Sequence, residues 1–344
     1  MHPARAAVAG AGSPRVGESH IDRSITRASS GAFEFPLGVY PVEPLSPKAG
    51  YISEFEPADG GVDPGDWEEW PDRYVFDVVV TAGRLQSLCR SLFALLPGRV
   101  YPILDILGND AFREVDPYIA YDPVGIERFL DVLHDHGGWL FEDGLVGFGA
   151  MSDSPFIYVY LDEHKIVTIR VESGLKEQVE KTLAAFDLKP NADATGVDGA
   201  SHEHRGVLMC PPDQPEMMTA EEIVEDLQDL WRLELNVDRA GNTDDSGKAL
   251  GVTGWRCLVR RTPANEESPE RYAEVIITAS SLAEAEQLAA DAVRPTGEPD
   301  DDDLEETVLV FADRVTPQQL RDLVGEDAEI DASVSRTHTV RWLG

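Results

Sequence analysis

The chain has 344 residues, with 29 basic and 64 acidic side chains and a formal net charge of −35. So large an acidic excess, with no basic patch to neutralise phosphates, argues against direct binding of nucleic acid. The composition is 42% apolar, enough for ordinary cores, but no run of about 18 apolar residues exists to cross a membrane.

Residues 1–50 mix Ala, Gly, Ser, Pro and Arg without periodicity and read as a disordered leader. Residues 51–72 are acidic and contain Trp67 and Trp70, the pattern of an arm laid over a folded domain. A first domain is expected over 73–190. YVFDVVV (74–80) reads as a buried strand, AGRLQSLCRSLFALL as a helix behind Thr81, and RVYPILDIL (99–107) as the next strand. Such a β-α-β unit permits a parallel pair. VGIERFLDVLHDHG is a second amphipathic helix, and WLFEDGLVGFGAMS reads as a hairpin turning at Glu142-Asp143-Gly144. The close glycines of GLVGFGA mark a bulge or a close approach of chain.

FIYVYL and IVTIRV are strong strand segments separated by Asp162-Glu163-His164-Lys165, a common hairpin loop length. The expectation is a solvated turn, with no burial to shift a pKa. LKEQVEKTLAAFDL then forms a helix with Glu177 four residues before Lys181.

Residues 191–204 read as a linker, and 205–344 as a second α+β domain. Its elements are a short strand RGVLMC, a helix opened by the capping box Thr219–Glu222, and a hairpin of GWRCLVRRT with RYAEVIITA. A helix from Leu282, a strand TVLVFADRV, a short helix with Pro317 at its first position and a terminal strand follow. The fold class is α+β, two domains, each a mixed or mainly antiparallel sheet backed by helices, on one side only in the second.

Three groups of residues carry possible chemistry. Asp77, Asp105, Asp110 and Asp116, with Glu114, lie on or after neighbouring predicted strands, and converging carboxylates there would hold Mg²⁺ for hydrolysis of a phosphate-containing substrate. His134 and His136 end a helix, where imidazoles complement the dipole. His202, Glu203 and His204, with Cys210 nearby, are zinc-ligand types, but their spacing fits no standard frame. Cys89, Cys210 and Cys257 are far apart and odd in number, which fits a reducing cytoplasm rather than a disulfide scaffold. No nucleophile elbow, P-loop or dinucleotide fingerprint is present.

The leading expectation is therefore a cytoplasmic, non-catalytic binding or regulatory protein that needs no cofactor. It would meet an unknown protein partner through Tyr158, Tyr160, His164 and Lys165. The alternative is the Mg²⁺-dependent hydrolase, and a weaker one is an acidic mimic of nucleic acid.

Overall fold

The computed structural model describes residues 19–58, 71–210, 217–263, 271–294, 305–325 and 333–343. Trp67 and Trp70 of the predicted arm and most of the acidic run at 297–306 lie outside the described residues, whereas 51–56 of that arm are strand in the main sheet rather than a cover over it.

Side chains alternate across a strand, and the pairing of the strands follows from that alternation. In β10 (Phe156–Leu161) and β11 (Val167–Glu172), Ile157, Val159, Leu161, Val167, Ile169 and Val171 are buried on one face. Their neighbours Tyr158, Tyr160, Thr168 and Arg170 take the other face, half-buried. The same rule organises β4 (Gly50–Glu56), β5 (Arg73–Val79), β6 (Arg99–Leu107), β7 (Val115–Ala120) and β9 (Val146–Asp153). With the short β8 (Val124–Gly125) and β13 (Leu233–Leu235) these form a nine-stranded sheet in the order β13-β7-β6-β9-β10-β11-β5-β4, β8 adding to β6.

Every pair in that sheet is antiparallel. β5 and β6, expected to permit a parallel pair, are instead separated by β11, β10 and β9. The chain segment after α1 (Ala82–Phe93) crosses the sheet rather than returning beside β5.

Five helices cover the buried face. They are α1, α2 (Ile126–Asp135), α3 (Gly137–Glu142), α4 (Lys176–Ala185) and α5 (Ala220–Trp231). Each contributes an apolar stripe, for example Leu85, Leu88 and Leu92 of α1 at helical spacing. The predicted hairpin over 139–152 is half helix. Trp139, Leu140 and Phe141 enter the core from α3, and the strand begins at Val146. Trp231 stacks on Phe129 with ring centres 5.0 Å apart. Thus α5 and β13 belong to the first core, which resumes after residues 191–204 with Leu208 and Met218 and runs to Leu235.

The rest builds a four-stranded antiparallel sheet, β16-β14-β15-β17, from β14 (Thr253–Pro263), β15 (Arg271–Ala279), β16 (Glu305–Val315) and β17 (Arg336–Leu343). The α6 helix (Leu282–Val293) packs Ala285, Ala289 and Val293 against Cys257, Val275 and Ile277. The α7 helix (Pro317–Val324) sets Leu320 against Ile276 and Val315 on the opposite face, so this sheet is covered on both sides. The overall class is α+β.

Residues 19–50 are not a featureless leader. β1 (Ser29–Ser30) pairs with β2 (Phe33–Glu34), and β3 (Val39–Pro41) pairs with β12 (His202–His204), a strand inside the predicted linker. This arm is fixed by backbone bonds: Arg205 N donates to Gly38 O at 2.8 Å, and Gly144 N to Arg205 O at 3.1 Å. Arg27 makes a two-pronged pair with Glu142, each bond 2.8 Å. A Cβ on Gly38 would stand 2.1 Å from Gly144 N, a backbone atom that cannot move aside. Gly38→Ala is expected to lift the arm off the sheet, at no less than the roughly 1–3 kcal/mol of ordinary overpacking. Amide exchange should show loss of protection at residues 39–41 and 202–204; unchanged protection there would refute the expectation.

Candidate metal centre

The turn between β10 and β11 is where it was expected, at Asp162–Lys165, with Asp162 N bonded to Ile166 O. It is not solvated. The β3–β12 arm lies over it, and Lys165 is only 3% exposed. Its ammonium donates to Leu140 O at 3.1 Å and Val146 O at 2.5 Å. Burial lowers the Lys165 pKa to about 8, against the opposing pull of Asp143, Asp162 and Glu163. Lys165 therefore cannot serve as the surface contact proposed from sequence.

A lysine whose folded pKa lies below its unfolded value of 10.5 releases its proton first in the folded state. Stability then rises as pH climbs from about 8 to 10.5. At neutral pH the penalty is about 3 kcal/mol. Lys165→Met should flatten the urea-unfolding free energy across that window, and a variant that keeps the wild-type slope would show that another group titrates.

The arm brings two more histidines to the turn. His202 and His204 are two apart on a strand, so both face the same way, while Glu203 points outward to Arg205. The Arg205 guanidinium in turn lies 4.2 Å from the centre of the Tyr40 ring. His164, His202 and His204 form a triangle in which each pair of ring centres is 4.9 Å apart. The interplanar angles of 70°, 77° and 80° make a near three-fold propeller. The Nε2 atoms of His202 and His204 are 3.2 Å apart. Three imidazoles bound tetrahedrally to zinc at 2.0–2.1 Å would place their nitrogens about 3.3 Å apart and their ring centres about 5.2 Å apart. The protein holds these rings within a few tenths of an ångström of that geometry.

The outer partners of two of the rings agree, while His204 Nδ1 is buried with no hydrogen-bond partner among the described residues. His202 Nδ1 lies 2.8 Å from Ala200 O, which fixes the proton on Nδ1 and leaves Nε2 as a lone pair facing the other rings. His164 Nδ1 lies 3.2 Å from Glu163 Oε1 and 3.6 Å from Asp162 Oδ2, a carboxylate–histidine arrangement typical of metal ligands. Hydrogen bonding to Asp162 raises the His164 pKa. Burial, followed by the neighbouring His164 and His202, lowers that of His204, which favours the neutral ligand form. Among the described residues, the groups of three that could hold a metal are these histidines and the adjoining Asp162, Glu163 and His164.

The carboxylates singled out from sequence do not form such a group. Asp77 is exposed on β5 and accepts from Thr168 at 2.8 Å. Asp105 lies on β6, four strands away, or about 19 Å at ordinary strand spacing. It is half-buried beneath the Tyr160 hydroxyl, which donates to it, and burial raises its pKa. Asp110 and Asp116 do approach each other, but Arg113 lies between them, and Asp110 is also bound by Arg314 at 2.9 Å. The parallel β5–β6 pair that would have brought the four acids together does not form.

Tyr158 and Tyr160 stack with ring centres 5.8 Å apart on the face of the sheet away from the helices. The close glycines make room for them. A Cβ on Gly147 would be 2.3 Å from the Tyr160 hydroxyl, so GLVGFGA marks a close approach of chain. Cys210, expected near a zinc set with the two histidines, instead bonds Met218 O. His134 and His136 also stand apart from the centre, at the end of α2.

The fold and site together define an α+β protein with a three-histidine centre. No protein-family model, no curated protein and no solved structure matches the chain.

Proposed function

We propose that this is a metal-dependent binding protein, in which His164, His202 and His204 hold a divalent transition metal, with Zn²⁺ the best match. The observation that carries the reading is the propeller of three imidazoles with ring centres 4.9 Å apart and the Nε2 atoms of His202 and His204 3.2 Å apart. Three nitrogens satisfy imidazole-preferring metals and leave one tetrahedral position for water or a donor from a partner. Mg²⁺ and Ca²⁺, which need oxygen ligands, are poor matches.

Two features support a binding role over catalysis. Asp162 and Glu163 both face His164 Nδ1, where they orient a ligand rather than stand ready to deprotonate a metal-bound water. The stacked tyrosines beside the turn offer amphipathic contact area to a protein partner. The three cysteines are free, which supports a reducing, cytoplasmic setting. Among the described residues no helix is long and apolar enough to cross a membrane.

The second reading is a metal-dependent hydrolase, favoured by the position that three ligands leave open. Titration of the metal-free full chain with Co²⁺, whose visible spectrum reports four-coordinate nitrogen ligation, tests the centre itself. One equivalent is expected, displaced by Zn²⁺ and not by Mg²⁺. Assay of the zinc-loaded chain with aryl phosphate and aryl ester substrates separates the readings. Turnover that disappears with His204→Ala would move the protein to the hydrolase class.

A further inference from the structure

A cavity of about 590 Å³ lies between the nine-stranded sheet and the four-stranded sheet, within the range of small-molecule sites. Leu107, Trp139, Val224 and Phe311 give it apolar walls, and Asp116 and Asp313 line one side. None of the three histidines lines it, so it is separate from the metal centre.

Asp313 is the acid on that side with no direct bond among the described residues. Asp110, Asp116 and Asp313 are three acids. Arg314 is bound to Asp110 at 2.9 Å and Arg113 to Asp116 at 2.7 Å. Arg256, opposite Asp313 across the strand pair, also lines the cavity; its direct bond goes to Glu274 at 2.8 Å, which Arg341 reaches at 2.6 Å. Asp313 is 7% exposed, and among the described residues no hydrogen bond or ion pair engages its carboxylate. A buried acid that lines a cavity and makes no direct bond leaves a place there for a cation from outside the chain. Burial first, and then Asp116 and Asp110, push its pKa up to about 6, against the opposing pull of Arg256 and Arg113.

We propose that this cavity binds a small organic cation, an ammonium or guanidinium on an apolar or aromatic body, with Asp313 as the counter-charge. The cationic head replaces the missing partner of Asp313. The apolar body lies between Phe311, Leu107 and Val224, and the Tyr118 hydroxyl at the cavity wall is a further polar contact.

The test uses the full chain near neutral pH with tryptamine as probe, followed by calorimetry and thermal melting. Its neutral analogue indole-3-ethanol and its anionic analogue indole-3-propionate are the controls. Saturable binding of tryptamine is expected, at least tenfold tighter than either control. Asp313→Asn removes an unpaired buried charge, so this variant is expected to fold and to lose that preference. Phe311→Ala should weaken tryptamine while keeping the preference for the cation. Equal binding of tryptamine and indole-3-ethanol, or an affinity unchanged by Asp313→Asn, would overturn the proposal. So would failure of tryptamine, phenethylamine and benzylguanidine all to bind at millimolar concentration.

Discussion

His202→Ala is expected to remove high-affinity zinc binding while leaving the fold in place. The ring supplies one of three ligands, and its Nδ1 bond to Ala200 O fixes the donor nitrogen. Loss of a ligand should cost more than loss of an outer-shell partner, which is typically 10–100-fold. Glu163→Gln supplies that smaller comparison, because Glu163 touches only the far nitrogen of His164. The arm carrying His202 keeps its backbone bonds at Gly38, Gly144 and Arg205, so the metal-free variant should keep its circular dichroism. Affinity should also fall with acidification, since every ligand must give up its proton to the metal. The raised pKa of His164 makes it the first ring to compete for protons as pH drops. Competition titration with a chromophoric chelator measures all three effects. Wild-type affinity in His202→Ala would place the metal elsewhere.

Asp110→Ala is expected to destabilise the protein by about 3–5 kcal/mol, the cost of stranding a buried charge. Arg314 is 4% exposed, and Asp110 receives both its guanidinium and its backbone N–H, the latter at 2.8 Å. The return bond, Ala111 N to Arg314 O at 2.9 Å, makes this the joint between the two sheets. The guanidinium also reaches Asn242 Oδ1 at 3.1 Å, so the loop before β14 depends on the same pair. Urea unfolding should shift to lower concentration and split into two transitions as the four-stranded sheet uncouples. By contrast Asp193→Ala, which breaks an exposed pair with Lys48, should change stability by less than about 1 kcal/mol. Similar small effects for both variants would show that the Asp110–Arg314 joint bears no structural load.

Many of the strands and helices are legible in the chain, because each advertises its own period, although β4 lies in the segment read as an arm, β7 is not foreseen, and RGVLMC is not a strand. Ile157, Val159 and Leu161 alternate with tyrosines, and Leu85, Leu88 and Leu92 recur at helical spacing. Thr219–Glu222 forms its capping box, and Thr316 with Gln319 forms another ahead of α7. Trp139–Phe141 misled for a physical reason. Three apolar residues in a row are too few to show whether their period is two or 3.6. The same limit hid β3 and β12, whose three residues each are held by a partner some 160 positions away in the chain.

Local sequence determined most of the helices and longer strands, where the turn at Asp162–Lys165 falls, and that the chain is acidic. It determined these because propensity, capping and hydrophobic period are properties of neighbours along the chain. Strand order is not such a property. Only the tertiary structure decided that β5 and β6 stand four strands apart, which scatters the carboxylates, and that β12 lies over the β10–β11 turn, which gathers the histidines. His-Glu-His carried one usable signal: positions two apart share a face if the segment is a strand. What no local pattern could supply was His164, because the free energy that brings it to His202 comes from long-range backbone pairing and from the packing of Gly38 against Gly144.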